Sequence, residues 1–221
     1  FSVEGTRIGG ASAALGNVIS GNTTNGVVAA GAVDSVILGN AIGVTIDGGA
    51  LGNGRSGLYL MSSGVYLDEP TGTRGTILGD ASAAGSNVIA HNKRAGVVVE
   101  GESTRGNAIR GNRIFRNGAL GIDLSSALFE GDGVTPNDPV PDGDARPSNR
   151  GQNFPILTKV EATASGIKVS GVLQSVPATA FHLDFYGNEE RDPSGHGEGQ
   201  FYLGALDVTT DGKGEAVFAA T

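Results

Sequence analysis

Apolar residues in the first 124 positions arrive in runs of three or four: VIS from Val18, VVA from Val27, VIL from Val36, LYL from Leu58, VVV from Val97 and AIR from Ala108. The runs are rich in β-branched residues and end in Gly or Asn, a pattern that predicts short strands. Helical repeats need apolar positions at 3.6-residue spacing with good helix formers between them, and neither is present. The closing asparagines also recur: GNVISGN (16–22), VILGN (36–40), SNVIAHN (86–92) and GNAIRGN (106–112) are echoes of one another. A shift of 70 residues lays Gly9–Gly31 on Gly79–Gly101 with 13 identities in 23 positions and no gap.

Short strands broken by Gly and Asn suit a chain that coils over itself, each strand pairing in parallel with its equivalent one turn on. The spacings Asn22 to Asn40 and Asn92 to Asn112, 18 and 20 residues, predict three turns within the 70-residue unit and about five between Ile8 and Leu124. Sharp corners favour residues that tolerate left-handed backbone, and stacked amides bond along the axis. Asn22, Asn40, Asn92 and Asn112 are therefore expected to form a structural column. Gly26, Gly57, Gly96 and Gly121, each followed by an apolar run, are expected to stack at a second corner.

The pattern changes after residue 129. Residues 130–152 (EGDGVTPNDPVPDGDARPSNRGQ) lack apolar periodicity and form an acidic linker or ordered loop. Within 153–221, ILTKVEA, IKVSGVL, AFHLDFYG, FYLGALDVT and EAVFA alternate apolar with polar residues, which predicts five antiparallel-type strands.

NVISGN, GNAIG, the LGN-x-x-x-G-L segment at Leu51–Leu58 and GNRIFRNGALGIDL at Gly111–Leu124 resemble the right-handed parallel β-helix repeat proteins of the pectate-lyase-like superfamily. The GVTPNDP and QNFPIL segments are similar to those of multidomain bacterial members with an immunoglobulin-like module. The expected fold is all-β: a right-handed parallel β-helix of about five turns over 1–129, then a partial immunoglobulin-like sandwich over 153–221. A complete module of that kind has seven strands. Truncation of a longer polypeptide is the expectation for the difference, with strand addition from another chain as the alternative.

Glycine, at 38 of 221 residues, fits frequent turns, and the absence of cysteine leaves neither disulfides nor thiolate metal sites. No apolar run reaches the length of a membrane span, so membrane insertion is not expected. Residues 1–124 hold nine acids and nine Lys or Arg, so the net charge of −8 arises wholly in 125–221, which argues against a nucleic-acid partner. The resemblance implies an extracellular or cell-surface protein.

Candidate chemistry divides into three groups. Lys93, Arg94, Arg110, Arg113 and Arg116 cluster near the end of the repeat; setting Asn92 on Asn112 stacks Lys93 on Arg113, where an acidic polysaccharide would bridge the like charges. Salt bridging to Glu100 and Glu102 is the alternative, and Tyr59 and Tyr66 offer stacking faces. Asp132, Asn137, Asp138, Asp142 and Asp144 put five oxygen-bearing side chains within thirteen residues, a candidate calcium site or a solvated acidic loop. The carboxylates Asp34, Asp47, Asp68, Glu69 and Asp80 do not recur at stacking offsets, and of the segments typical of polygalacturonases only GHG occurs, at Gly195–Gly197. His91 and His182 stand alone in the sequence, and His196 is expected to be a polar loop residue. The expected role is structural or adhesive, without catalysis, in its bolder form a self-assembling subunit of a filament or surface layer, with identical subunits or an acidic polysaccharide as partner; a polysaccharide lyase or hydrolase, or an acidic-glycan-binding module, is the alternative.

Overall fold

The computed structural model describes residues 3–12, 14–63, 71–125, 131, 133–139, 148–164 and 166–221. It is an all-β protein with parallel and antiparallel sheets. Two compact units divide it: the first is Phe1–Thr135 with Pro147–Asn149 and Phe185–Leu203, the second Pro136–Arg146 with Arg150–Asp184 and Gly204–Thr221.

In the first unit the chain visits three parallel sheets in rotation. The first circuit is β1 (Arg7–Gly9), β2 (Val18–Ile19) and β3 (Val27–Ala30), and the second is β4 (Val36–Leu38), β5 (Ala41–Ile42) and β6 (Leu58–Ser63). A short β7 (Thr71–Gly72) folds back antiparallel on β6. The third circuit is β8 (Ile77–Leu78), β9 (Val88–Ala90) and β10 (Val97–Glu100), and the fourth β11 (Ala108–Ile109), β12 (Arg113–Phe115) and β13 (Ile122–Ser125). The three sheets run β1-β4-β8-β11, β2-β5-β9-β12 and β3-β6-β10-β13.

Register stacks like on like. Ile19, Ile42, Ile89 and Ile114 form one apolar column, and Val27, Leu58 and Val97 continue into Ile122. Ile42, Ile89, Ile114, Leu58 and Val97 of these columns make the buried core with Ile37, Leu60, Leu78 and Val99, Ile19 and Val27 pack against it, and Ile122 at the last circuit is exposed. Because adjacent strands lie about 4.8 Å apart, a branched side chain meets its equivalent at van der Waals distance and keeps water out.

The circuits number four among the described residues, not five, and the 70-residue repeat spans two of them: Val18 pairs with Ala41, which pairs with Val88. The reason is unequal circuit length. Residues 44–50 loop out between β5 and the next corner, closed by a Val44–Ala50 bridge, and the β6–β7 turn adds a second insertion.

The five strands expected in the second half form where predicted. They are β14 (Ile156–Thr163), β15 (Gly166–Gln174), β16 (Ala180–Gly187), β17 (Phe201–Thr209) and β18 (Glu215–Ala220). β14, β15 and β18 make one antiparallel sheet, and β16 pairs with β17. Leu173, Leu183, Ala216 and Phe218 are buried in the second unit. The tip between β16 and β17, residues 185–203, groups with the first unit. No helix among the described residues is long and apolar enough to cross a membrane.

Candidate functional site

Two asparagine columns, not one, run along the first unit. Asn17, Asn40, Asn87 and Asn112 form the first: each backbone N–H and side-chain Nδ2 donates to the Oδ1 of the asparagine one circuit on. Asn22, Asn53, Asn92 and Asn117 form the second with the same bonds. The spacings of 18 and 20 residues thus step from one column to the other. Nor do these asparagines carry the left-handed backbone. That falls one position earlier, on Gly21, Gly39, His91 and Gly111, with φ of 70°, 67°, 59° and 63°. His91 is thus the corner substitute for Gly21.

The glycine corner forms as expected. Val27, Leu58 and Val97 donate N–H to the carbonyls of Gly57, Gly96 and Gly121. A Cβ on Gly26, Gly57 or Gly96 would lie 2.7 Å from the next glycine's carbonyl oxygen, so the stack has room only for hydrogen.

The register separates the basic residues. Arg113 pairs with Val88, not Lys93, and Asn92 stacks under Asn117, which sets Lys93 beneath Gly118. The Asn92–Asn112 alignment fails because each circuit passes two asparagine corners, and Asn92 and Asn112 belong to different columns whose true partners lie 25 residues apart. Arg113 and Arg116 take different partners: the Arg113 guanidinium lies 5.8 Å over the Phe115 ring, and Arg116 is 3.6 Å from Glu189. Arg110 follows β11 at a different corner, where its N–H donates to Leu78 O. Two arginines do fall on neighbouring circuits, unseen in the sequence: Arg94 donates its backbone N–H to Arg55 O at 3.2 Å, and exposed Lys93 precedes it.

Tyr59 offers no stacking face. It is 6% exposed and donates its hydroxyl to Glu100, itself 2% exposed, on the outward side of the third sheet. Asp123, one strand over, accepts from Gly133 N–H at 3.0 Å and is also buried. Tyr66, Asp68 and Glu69 lie outside the described residues.

Of the linker acids, Asp132, Asp142 and Asp144 lie outside the described residues. Asn137 clips Phe154 with both ends of its amide, at 2.9 and 2.8 Å, and Asp138 N–H donates to Asn153. Among the described residues no three His, Cys, Asp or Glu side chains group as metal ligands.

The histidines have company. His91 meets Phe115 edge-on at 5.9 Å, and burial, aided by the Arg116 charge, holds its imidazole below the usual value. His182 lies between two carboxylates, Asp184 at 3.2 Å from Nε2 and Asp207 at Nδ1. These sit on opposite ring nitrogens, so they cannot converge on one cation. His196 is exposed and bonds Ser194 within its own loop.

The pocket that sequence reasoning missed lies in the first unit. It measures about 200 Å³ and is lined by Phe115, Arg116, Asn117, the Asn188–Pro193 segment, Glu198 and Gln200. Glu198 Oε1 accepts both Asn117 N–H and Nδ2, at 3.1 and 2.9 Å, and burial pushes its carboxyl above the usual range against the pull of those bonds. No local signal marks Glu198, because its partner is 81 residues away.

No family model matches this sequence, and no curated protein is significantly similar to it.

Proposed function

We propose that the first unit is a right-handed parallel β-helix of the pectate-lyase-like kind and the second a partial immunoglobulin-like module, together serving as a non-catalytic structural or adhesive segment of an extracellular or cell-surface protein. One observation carries this: eight asparagines are spent on two axial columns, in which the buried interior amides of Asn40, Asn53, Asn87 and Asn92 both donate to and accept from their neighbours. Such a column stiffens the coil, so that side chains on the outward face vary at little cost to the core. A calcium ion at the linker belongs to the same proposal, with Asn137 and Asp138 at its described edge.

Arg55, Arg94 and Lys93, gathered on neighbouring circuits, favour a second reading: an acidic-glycan-binding surface on the outer corner. Incubation with pectin, alginate and glycosaminoglycans separates the readings, monitored for unsaturated products and reducing ends and paired with retention on a heparin column. The scaffold role predicts no product. Retention that fades with salt and drops in Arg55→Ala/Lys93→Ala/Arg94→Ala supports the surface. Product formation contradicts the non-catalytic assignment.

A further inference from the structure

The second asparagine column does not stop at the last circuit. Asn117 gives its N–H and Nδ2 to Glu198 at 3.1 and 2.9 Å, and Asn92 gives the same two donors to Asn117 at 3.1 and 2.9 Å. A glutamate from the β16–β17 tip thus stands where the next asparagine would. The neighbouring residues extend the imitation: Ile114 N–H donates to Gly199 O at 2.9 Å, as a strand of β12 would to a fifth circuit, and Arg113 Nε reaches Gln200 O at 3.4 Å. Gly121 lies against Glu198 as Gly96 lies against Gly121, an added Cβ meeting Glu198 O at 2.9 Å and Gly121 O at 2.7 Å.

A second remote segment finishes another corner. Asn107 N–H donates to Asn149 Oδ1 and Asn149 Nδ2 returns a bond to Asn107 O, both at 3.0 Å, while Asn149 N–H donates to Thr104 O at 2.7 Å. Asn149 also has left-handed backbone, φ 46°, a strained state that these three bonds hold.

We infer that Glu198–Gln200 and Asn149 form a cap that imitates a further rung and closes the coil's edge against a second copy of this chain. Open parallel edges pair with whatever presents a matching ladder. A second copy does present one: Asn22 Oδ1 accepts no hydrogen bond among the described residues, and it belongs to the column that would meet Asn117 in head-to-tail stacking. Such a contact does not close on itself and grows into rods. The inference stands on hydrogen-bond register, and holds whether or not the outer corner binds a glycan.

The test is sedimentation velocity of the whole chain over a concentration series, with electron microscopy, for Asn149→Ala/Glu198→Ala and for Glu198→Gln. Glu198→Gln keeps an acceptor oxygen for Asn117 and is expected to sediment as the wild type. The double variant is expected to at least roughly double its average mass with concentration and to form rods one coil wide. Unchanged sedimentation of the double variant, or amorphous aggregate in place of rods, overturns the cap. Glu198→Ala alone repeats the test with the Asn149 corner left intact, should the double variant lose its sheet signal in circular dichroism.

Discussion

An asparagine inside this coil uses its whole hydrogen-bonding capacity. Asn40 accepts from Asn17 N–H and Nδ2, while its own Nδ2 reaches Ile8 O, Leu38 O and Asn87 Oδ1. Aspartate lacks the donor, and serine lacks the reach, so the residue type follows from the corner's geometry. Glu198, at the end of the other column, makes a pH-dependent prediction. Its raised pKa means the folded chain holds the proton more tightly than the unfolded one, so its contribution is fullest below the ordinary carboxylate value and is lost as pH rises through the folded value. Asp192 adds to the rise, and Glu189, Glu190, Arg116 and Arg191 line the same pocket. Thermal melts should show Glu198→Gln at least as stable as the wild type near neutral pH, with the difference closing on acidification to about pH 4. A deficit for Glu198→Gln at neutral pH would mean that the charge itself holds the cap.

The strands are too short to be stable alone, two to four residues in most cases, and gain their stability from stacking. The corner glycines set the distance at which that stacking occurs. Gly57→Ala puts a Cβ 2.7 Å from both Gly96 O and Ile89 Cγ2, with a buried backbone that cannot retreat. Denaturant unfolding is expected to show a loss of about 3 kcal/mol, the upper end of ordinary overpacking. Gly212→Ala, with nothing within 4 Å, should be neutral. Local pattern made these elements legible: β-branched runs, glycine before each run of the third sheet, and alternation along β14 to β18 all appear in the chain itself. Register was not legible, because the 44–50 loop and the β6–β7 insertion change circuit length without altering any run. The two asparagine corners in each circuit, Asn17 with Asn22 and Asn87 with Asn92, were equally illegible, and they are what kept Lys93 off Arg113 and made two columns read as one.

At the scale of the molecule, the remote contacts matter most and were least visible. Residues 147–149 and 185–203 join the first unit although the sequence places them with the linker and the second half. Nothing in PSN or HGEGQ announces that Asn149 and Glu198 complete corners built by Asn107 and Asn117. Buried acids on the outward face, Glu100 and Asp123, escaped for a similar reason: in sequence they look like the solvent-facing positions of alternating strands. The coil holds together only if the asparagines are committed to its axis. Residue-resolved amide hydrogen exchange measures that commitment directly, because the backbone N–H groups of Asn40, Asn53, Asn87 and Asn92 lie outside every strand yet donate to the next asparagine. They should exchange as slowly as Val97 and Leu58 in the core strands, opening only with global unfolding. Exchange at the rate of a loop amide such as Gly48 would show that the columns do not form.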